Sequence, residues 1–131
     1  MKKIVGIVLA ATALGAGAVP AGSYDVLQDA DCPLVGKAEL AGAVQRAGKV
    51  TNLNLPKDMV LRTELLCTAD QSVRGRFYYT VRASIEKLVS DGEQQRWATV
   101  ARHTGYGSTA GSTALLREVQ FTVRDLVRQE P

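Results

Sequence analysis

Apolar and polar residues alternate most clearly between Arg76 and Val89. The apolar positions in this stretch lie two residues apart, at Phe77, Tyr79, Val81, Ala83 and Ile85. Because successive side chains of a strand point to opposite faces, this period predicts a long strand with one buried face. A similar pattern, broken by Leu66, predicts a half-buried strand from Met59 to Thr68. A short edge strand is predicted from Val50 to Leu55.

The Asp-Gly pair at positions 91–92 follows the long strand and predicts a tight hairpin, since both residues tolerate positive φ. A two-residue loop at this pair gives a register with Ala98 opposite Ile85 in the core. The same register places Trp97 and His103 on the outer face of the sheet. A three-residue loop would reverse the faces of the next strand and make Trp97 a core residue.

Helical spacing of apolar residues appears on either side of these strands. Leu40, Val44 and Ala47 predict one short helix that ends at Gly48. The segment from Thr113 to Gln129 predicts a second helix, whose apolar face is formed by Leu115, Leu116, Val119, Val123, Leu126 and Val127. A strand is the alternative for this segment, because Val119, Phe121 and Val123 also alternate and have weak helix propensity.

Together these elements predict an α+β fold: an antiparallel β-meander of three to four strands with one helix before and one helix after the sheet. Residues 22–131 form a single small domain in this interpretation. The polar, acidic stretch from Gly22 to Val35 is predicted to be an extended arm.

The first 21 residues predict a cleaved signal peptide. Lys2 and Lys3 precede an apolar stretch from Ile4 to Leu14, and Val19-Pro20-Ala21 resembles a cleavage site. The apolar stretch is too short for a membrane span, and the first cysteine is Cys32, so neither a membrane span nor a lipid anchor is expected. We therefore expect a periplasmic or secreted protein.

Export changes how the charge and the cysteines are interpreted. Removing Lys2 and Lys3 lowers the formal net charge from +3 to about +1, which gives no general reason to expect nucleic-acid binding. Cys32 and Cys67 are the only two cysteines, and in an oxidising compartment an even number favours a disulfide. The chain-entropy model gives such a bond about 4 kcal/mol of stabilisation.

No catalytic or metal-binding motif stands out. Two cysteines and one histidine are too few for a structural zinc site, and no cofactor is expected. Gly105-Tyr106-Gly107-Ser108-Thr109-Ala110 fits a relaxed dinucleotide-binding pattern, but the chain ends before the second strand that such a fold requires. This stretch is predicted to be a flexible loop. His103 beside it lacks an orienting carboxylate in any familiar arrangement.

Two surfaces are candidate binding sites. The outer face of the sheet would carry residue types that are enriched at binding hot spots, namely Arg62, Tyr78, Arg82, Trp97 and His103. One row of the last helix would carry basic residues around an aromatic ring, namely Arg117, Phe121, Arg124 and Arg128.

The leading functional hypothesis is a small exported interaction protein without enzymatic activity, such as an envelope assembly factor or an inhibitor. Its partner would be another exported or cell-envelope protein. One alternative is a small hydrolase that uses His103 and the Gly105–Thr113 loop. Another is a carrier for a small apolar ligand held between the sheet and the helices.

Overall fold

The computed structural model describes residues 22–28 and 32–129. In chain order, the elements are β1 (Tyr24–Gln28), α1 (Lys37–Val50), β2 (Met59–Ala69), β3 (Phe77–Asp91), β4 (Gln94–Thr109) and α2 (Ser112–Gln129). The predicted α+β class is confirmed, and so is the helix predicted for the last segment, where the alternative strand does not form. The predicted signal peptide lies outside the described residues.

The four strands form one sheet in the order β1-β2-β3-β4. β2, β3 and β4 are the predicted antiparallel meander, but β1 pairs with β2 in parallel. The sheet is therefore mixed, and the prediction of a purely antiparallel meander is wrong. The reason is that α1 carries the chain back between β1 and β2, as a parallel connection requires. Part of the predicted extended arm is the strand β1.

Both helices pack on one face of the sheet. Their buried residues recur at the predicted helical spacing, with Leu40, Val44 and Ala47 in α1 and Leu115, Val119, Val123 and Leu126 in α2. They meet the alternate side chains of the sheet that include Leu61, Leu65, Val81, Ala83 and Ile85. The core is one layer between helices and sheet, and the opposite, outer face of the sheet carries no described helix.

The predicted edge strand from Val50 to Leu55 does not form. α1 runs past Gly48 to Val50, where the Thr51 hydroxyl donates to the Ala47 carbonyl over 2.9 Å. Asn52 then takes a φ of 56°, which turns the chain away from the helix. Gly48 is thus a buried residue inside α1 and not its terminator.

The β3–β4 hairpin forms, but its register differs from the predicted one. Asp91 pairs with Gln94, so the two-residue loop lies at 92–93, one residue later than predicted. A bulge follows at Val100, because Ile85 pairs with Ala101 whereas Glu86 pairs with Thr99. One extra residue reverses the faces of everything that follows it.

β4 extends through most of the stretch that was predicted to be a glycine-rich loop. Gly105 pairs with Val81 and Gly107 with Tyr79, so both glycines face the helices. A β-carbon on Gly105 would come within 2.7 Å of Glu118 Oε2 and 2.6 Å of Thr122 Oγ1 in α2. Gly105 therefore lets α2 lie close to β4, whereas Gly107 makes room for the ring of Tyr79.

The predicted disulfide between Cys32 and Cys67 is confirmed, with 5.0 Å between the two Cα atoms. Cys67 lies on the helix-facing side of β2, opposite Tyr79. The bond ties the segment before α1 to the second strand. Within the described residues, no helix has the length and apolar character needed to cross a membrane.

Candidate functional site

The outer face of the sheet has a central band of paired charges. Arg62 Nε lies 3.4 Å from Asp25 Oδ2 on β1 and 3.6 Å from Glu86 Oε1 on β3. Arg82 Nη1 lies 3.4 Å from Glu64 Oε1. All three contacts cross between strands: Arg62 is directly opposite Asp25, Arg82 is directly opposite Glu64, and Glu86 is a diagonal neighbour of Arg62. Arg62 and Arg82 are therefore engaged by neighbouring carboxylates within the face.

One end of the same face is apolar and open. Leu66, Thr80 and Tyr106 lie side by side on β2, β3 and β4. Tyr78 lies on the same face of β3, two residues before Thr80. Tyr106 is 79% exposed, Tyr78 54% and Leu66 41%. We call these three residues, Leu66, Tyr78 and Tyr106, the aromatic patch. A shallow depression of about 510 Å³ lies beside Tyr78 and Tyr106 of this patch and is also bordered by Tyr79, Thr80, Gly107 and Ser108.

The structure separates the residues that were predicted to share this face. Tyr78 and Arg82 are exposed on it, whereas Arg62 is half-buried between its carboxylate partners. Trp97 pairs with Leu88 on the predicted face, but it is half-buried and lies at the opposite end from Tyr106. The five predicted residues are not one contiguous site.

His103 does not lie on the outer face, and that prediction is wrong. It pairs with Ala83 on the helix-facing side, because the bulge at Val100 shifts the strand by one residue. Its Nε2 lies 3.5 Å from Asp125 Oδ2, and its Nδ1 lies 3.0 Å from Gln129 Nε2. Both partners belong to the last turns of α2.

The hydroxyls that the hydrolase hypothesis places near His103 are dispersed by the strand. Thr104 and Ser108 point to the outer face, away from the imidazole. The Thr109 hydroxyl is within hydrogen-bond distance of both backbone groups of Gly111, whose N–H it accepts over 3.1 Å. The described residues contain no group of His, Cys, Asp and Glu side chains arranged to hold a metal ion.

Tyr79 lies beneath α2, on the helix-facing side of β3. Burial raises the pKa of its hydroxyl above the usual 10.0, and the nearby carboxylate of Glu118 raises it further. Its ring covers Gly107, where a β-carbon would lie 2.6 Å from the phenol oxygen. Tyr79 is a helix–sheet contact that also borders the depression beside Tyr78 and Tyr106.

The predicted basic row on α2 borders a groove between the two helices. Arg117, Phe121 and Arg124 line it, and α1 contributes Arg46 on the other side. The guanidinium carbon of Arg124 lies 5.4 Å from the centre of the Phe121 ring. Arg128, the fourth predicted member of the row, is exposed in the last turn and does not line the groove.

Sequence reasoning missed Tyr106, Leu66 and Arg46. Thr104, Tyr106 and Ser108 recur every second residue, as on one face of a strand, but the glycines between them made the stretch resemble a loop. Val60 and Leu66 both break the alternation of β2, and only Leu66 is exposed, at 41%, so the pattern alone could not identify it. Arg46 joins the groove only through the packing of α1 against α2.

Comparison with known proteins identifies no family. No protein-family model matches the chain, and no curated protein matches it. Among solved structures, the hypothetical protein CT253 from Chlamydia trachomatis is similar over 83% of this chain and 95% of its own, with 12% identity and a TM-score of 0.45. The rare lipoprotein B from Shewanella oneidensis is similar over 82% of this chain and 89% of its own, with 10% identity and a TM-score of 0.33. Identity and TM-score are low in both cases, and neither similarity bears on what this chain does.

Proposed function

We propose that this chain is an exported, non-enzymatic interaction protein that binds another exported or cell-envelope protein through the aromatic patch. The observation that carries the proposal is the exposure of Tyr106, at 79%, beside Tyr78 and Leu66 on a sheet face without a described helix above it. Large apolar side chains grouped on a surface are a feature of protein interfaces.

The composition of the patch fits recognition by a protein. Tyrosine supplies a large apolar ring and a polar hydroxyl with few rotatable bonds, and it is enriched among the residues that dominate binding energy. The ion pairs of Arg62 and Arg82 border the patch and would form its polar rim. Because the patch lies on the regular strands β2, β3 and β4, its side chains are held in place before a partner arrives.

The proposed location rests on the sequence and on the disulfide. The predicted signal peptide directs export, and the Cys32–Cys67 bond suits an oxidising compartment, since disulfides are rare in the reducing cytosol. An exported protein meets other exported or envelope proteins as potential partners.

The proposal is tested by photo-crosslinking in the cells that make the protein. A photoreactive phenylalanine analogue at position 106 should trap one defined partner, which mass spectrometry identifies. The same analogue at Gln45, an exposed residue of α1 on the other side of the molecule, should not trap it. Crosslinking at both positions with equal yield would contradict the proposed surface.

The trapped partner is then purified and its affinity for variants is measured. Tyr106→Ser and Tyr78→Ser should each weaken binding about tenfold or more, because hot-spot aromatic residues contribute about 2 kcal/mol or more. Gln45→Ser serves as the matched control and should leave the affinity unchanged. Circular dichroism checks that each variant is folded. Unchanged affinity in both tyrosine variants would overturn the proposal.

A further inference from the structure

Three arginines line the groove between the helices, and no described carboxylate forms an ion pair with them. Arg46 comes from α1 and Arg117 and Arg124 come from α2, and the groove has a volume of about 450 Å³. In the part of the chain that the structure describes, none of the three lies within ion-pair distance of an acidic side chain. The groove thus differs from the outer sheet face, where Arg62 and Arg82 are both paired.

The three positive charges that line this groove favour a negatively charged ligand. Like charges held near one another repel, and a concave site with apolar walls focuses their potential. Leu116 and Phe121 supply those walls. A negatively charged group entering the groove would relieve the repulsion, so the electrostatic preference of the site is for an anion.

Arg124 is the best-placed of the three donors. Its guanidinium lies over the Phe121 ring, and this cation–π contact restrains a side chain that would otherwise be free to move. Its Nε is buried and has no hydrogen-bond partner among the described residues. A buried donor without a partner costs free energy, which a ligand oxygen could recover after a small rearrangement of the side chain.

We propose that this groove binds a phosphate-class oxyanion. Guanidinium groups match the tetrahedral oxygens of phosphate with paired N–H donors, and no carboxylate in the described part of the chain occupies these donors. Gln120 and Thr113 line the same groove and offer neutral donors, and Thr113 lies in the first turn of α2, where the helix dipole favours negative charge. The groove lies on the helical layer, so this proposal stands independently of the aromatic patch.

The phosphate can belong to a soluble molecule or to a lipid headgroup, and the experiment separates these sources. The oxidised, leaderless protein is titrated with inorganic phosphate and with a soluble phosphate monoester, followed by amide shifts in NMR. In a parallel arm it is mixed with vesicles of phosphatidylglycerol in phosphatidylcholine, against vesicles of phosphatidylcholine alone. Saturable shifts at residues 113–124 and at Arg46 indicate a soluble ligand, and selective sedimentation with the anionic vesicles indicates a headgroup; either result supports the site.

Three variants that each lose one positive charge test whether the groove is the site of phosphate binding. Arg124→Gln and Arg46→Gln should each weaken the binding about tenfold, as expected for the loss of one charge-assisted contact. Arg74→Gln removes the same charge from the exposed β2–β3 turn and should leave the affinity within about twofold, since it acts only through the screened net field. Equal weakening by all three substitutions, or no saturable binding in either arm, would overturn the proposal. Thermal unfolding confirms that each variant remains folded.

Discussion

The ring of Tyr24 in β1 occupies the space beside Gly48 in α1 that any side chain at position 48 would need. A β-carbon built on Gly48 would lie 2.9 Å from two ring carbons of Tyr24, well inside the normal contact distance. Both residues are part of the same helix–sheet layer, and Gly48 is buried within it. The close approach of α1 to the parallel edge of the sheet therefore depends on a glycine.

Gly48→Ala should lower the free energy of unfolding by about 1–3 kcal/mol, because the added methyl group overpacks a filled site. Gly42→Ala is the matched control in the same helix, where a β-carbon would meet only the end of Arg46 at 3.5 Å. Removing a glycine from a helix interior should there raise stability by about 0.5–1 kcal/mol. Urea unfolding measures both.

The clash is tested further by removing the ring. In a chain that already carries Tyr24→Ala, Gly48→Ala should lower the free energy of unfolding much less than it does in the natural chain. A double-mutant cycle measures this difference. Equal stability changes for Gly48→Ala and Gly42→Ala would show that the ring can move aside at no cost.

Gly105→Ala should also destabilise the fold by about 1–3 kcal/mol. The new methyl group would meet Thr122, whose hydroxyl already donates to the Glu118 carbonyl over 2.9 Å and whose side chain is buried. Gly111→Ala is the control, because nothing lies within 4 Å of a β-carbon there. A Gly105→Ala chain as stable as the Gly111→Ala chain, in the same urea experiment, would contradict the proposed role of the glycine in α2 packing.

Replacing both cysteines with serine should lower the free energy of unfolding by about 4 kcal/mol, because the open chain regains the entropy that the bond removes. Small domains are stable by about 5–15 kcal/mol, so the double variant should be marginal. Guanidinium unfolding of the oxidised protein and of the double variant gives the difference, and intact mass without reductant confirms the bond. Coincident unfolding curves would show that the Cys32–Cys67 bond contributes no stability.

The long periodic elements were predictable, because burial on one face leaves a pattern in the sequence. The strand from Phe77, the alternation in β2 and both apolar helical faces follow from it directly. β1 escaped prediction since five residues are too few to show a period. Its parallel pairing depends on where α1 returns the chain, which no local pattern encodes.

The candidate surfaces were less predictable, since they depend on register and on packing between distant segments. One bulge residue, Val100, decided that His103 faces the helices. The two glycines of β4 resembled a loop because their packing roles, against α2 for Gly105 and against Tyr79 for Gly107, are visible only in the folded structure. The groove combines Arg46 of α1 with residues of α2 some 70 positions later. The pattern of α2 alone could therefore indicate only the α2 side of the groove.

The stability of the fold should fall at alkaline pH through Tyr79. Burial, with a smaller contribution from Glu118, raises the pKa of the folded-state hydroxyl above 10.0, whereas the unfolded chain ionises near the usual value. The folded state therefore holds the proton of the Tyr79 hydroxyl more tightly than the unfolded chain does. The resulting contribution to the free energy of unfolding is complete below the pKa of the unfolded chain and is lost as the pH rises through the pKa of the folded state. In tyrosinate absorbance, Tyr79→Phe should remove an ionisation step that lies above the usual pKa of 10.0. Glu118→Gln should move that step only part of the way back, because burial is the larger cause. If the late step persists in Tyr79→Phe, another tyrosine is responsible and the assignment is wrong.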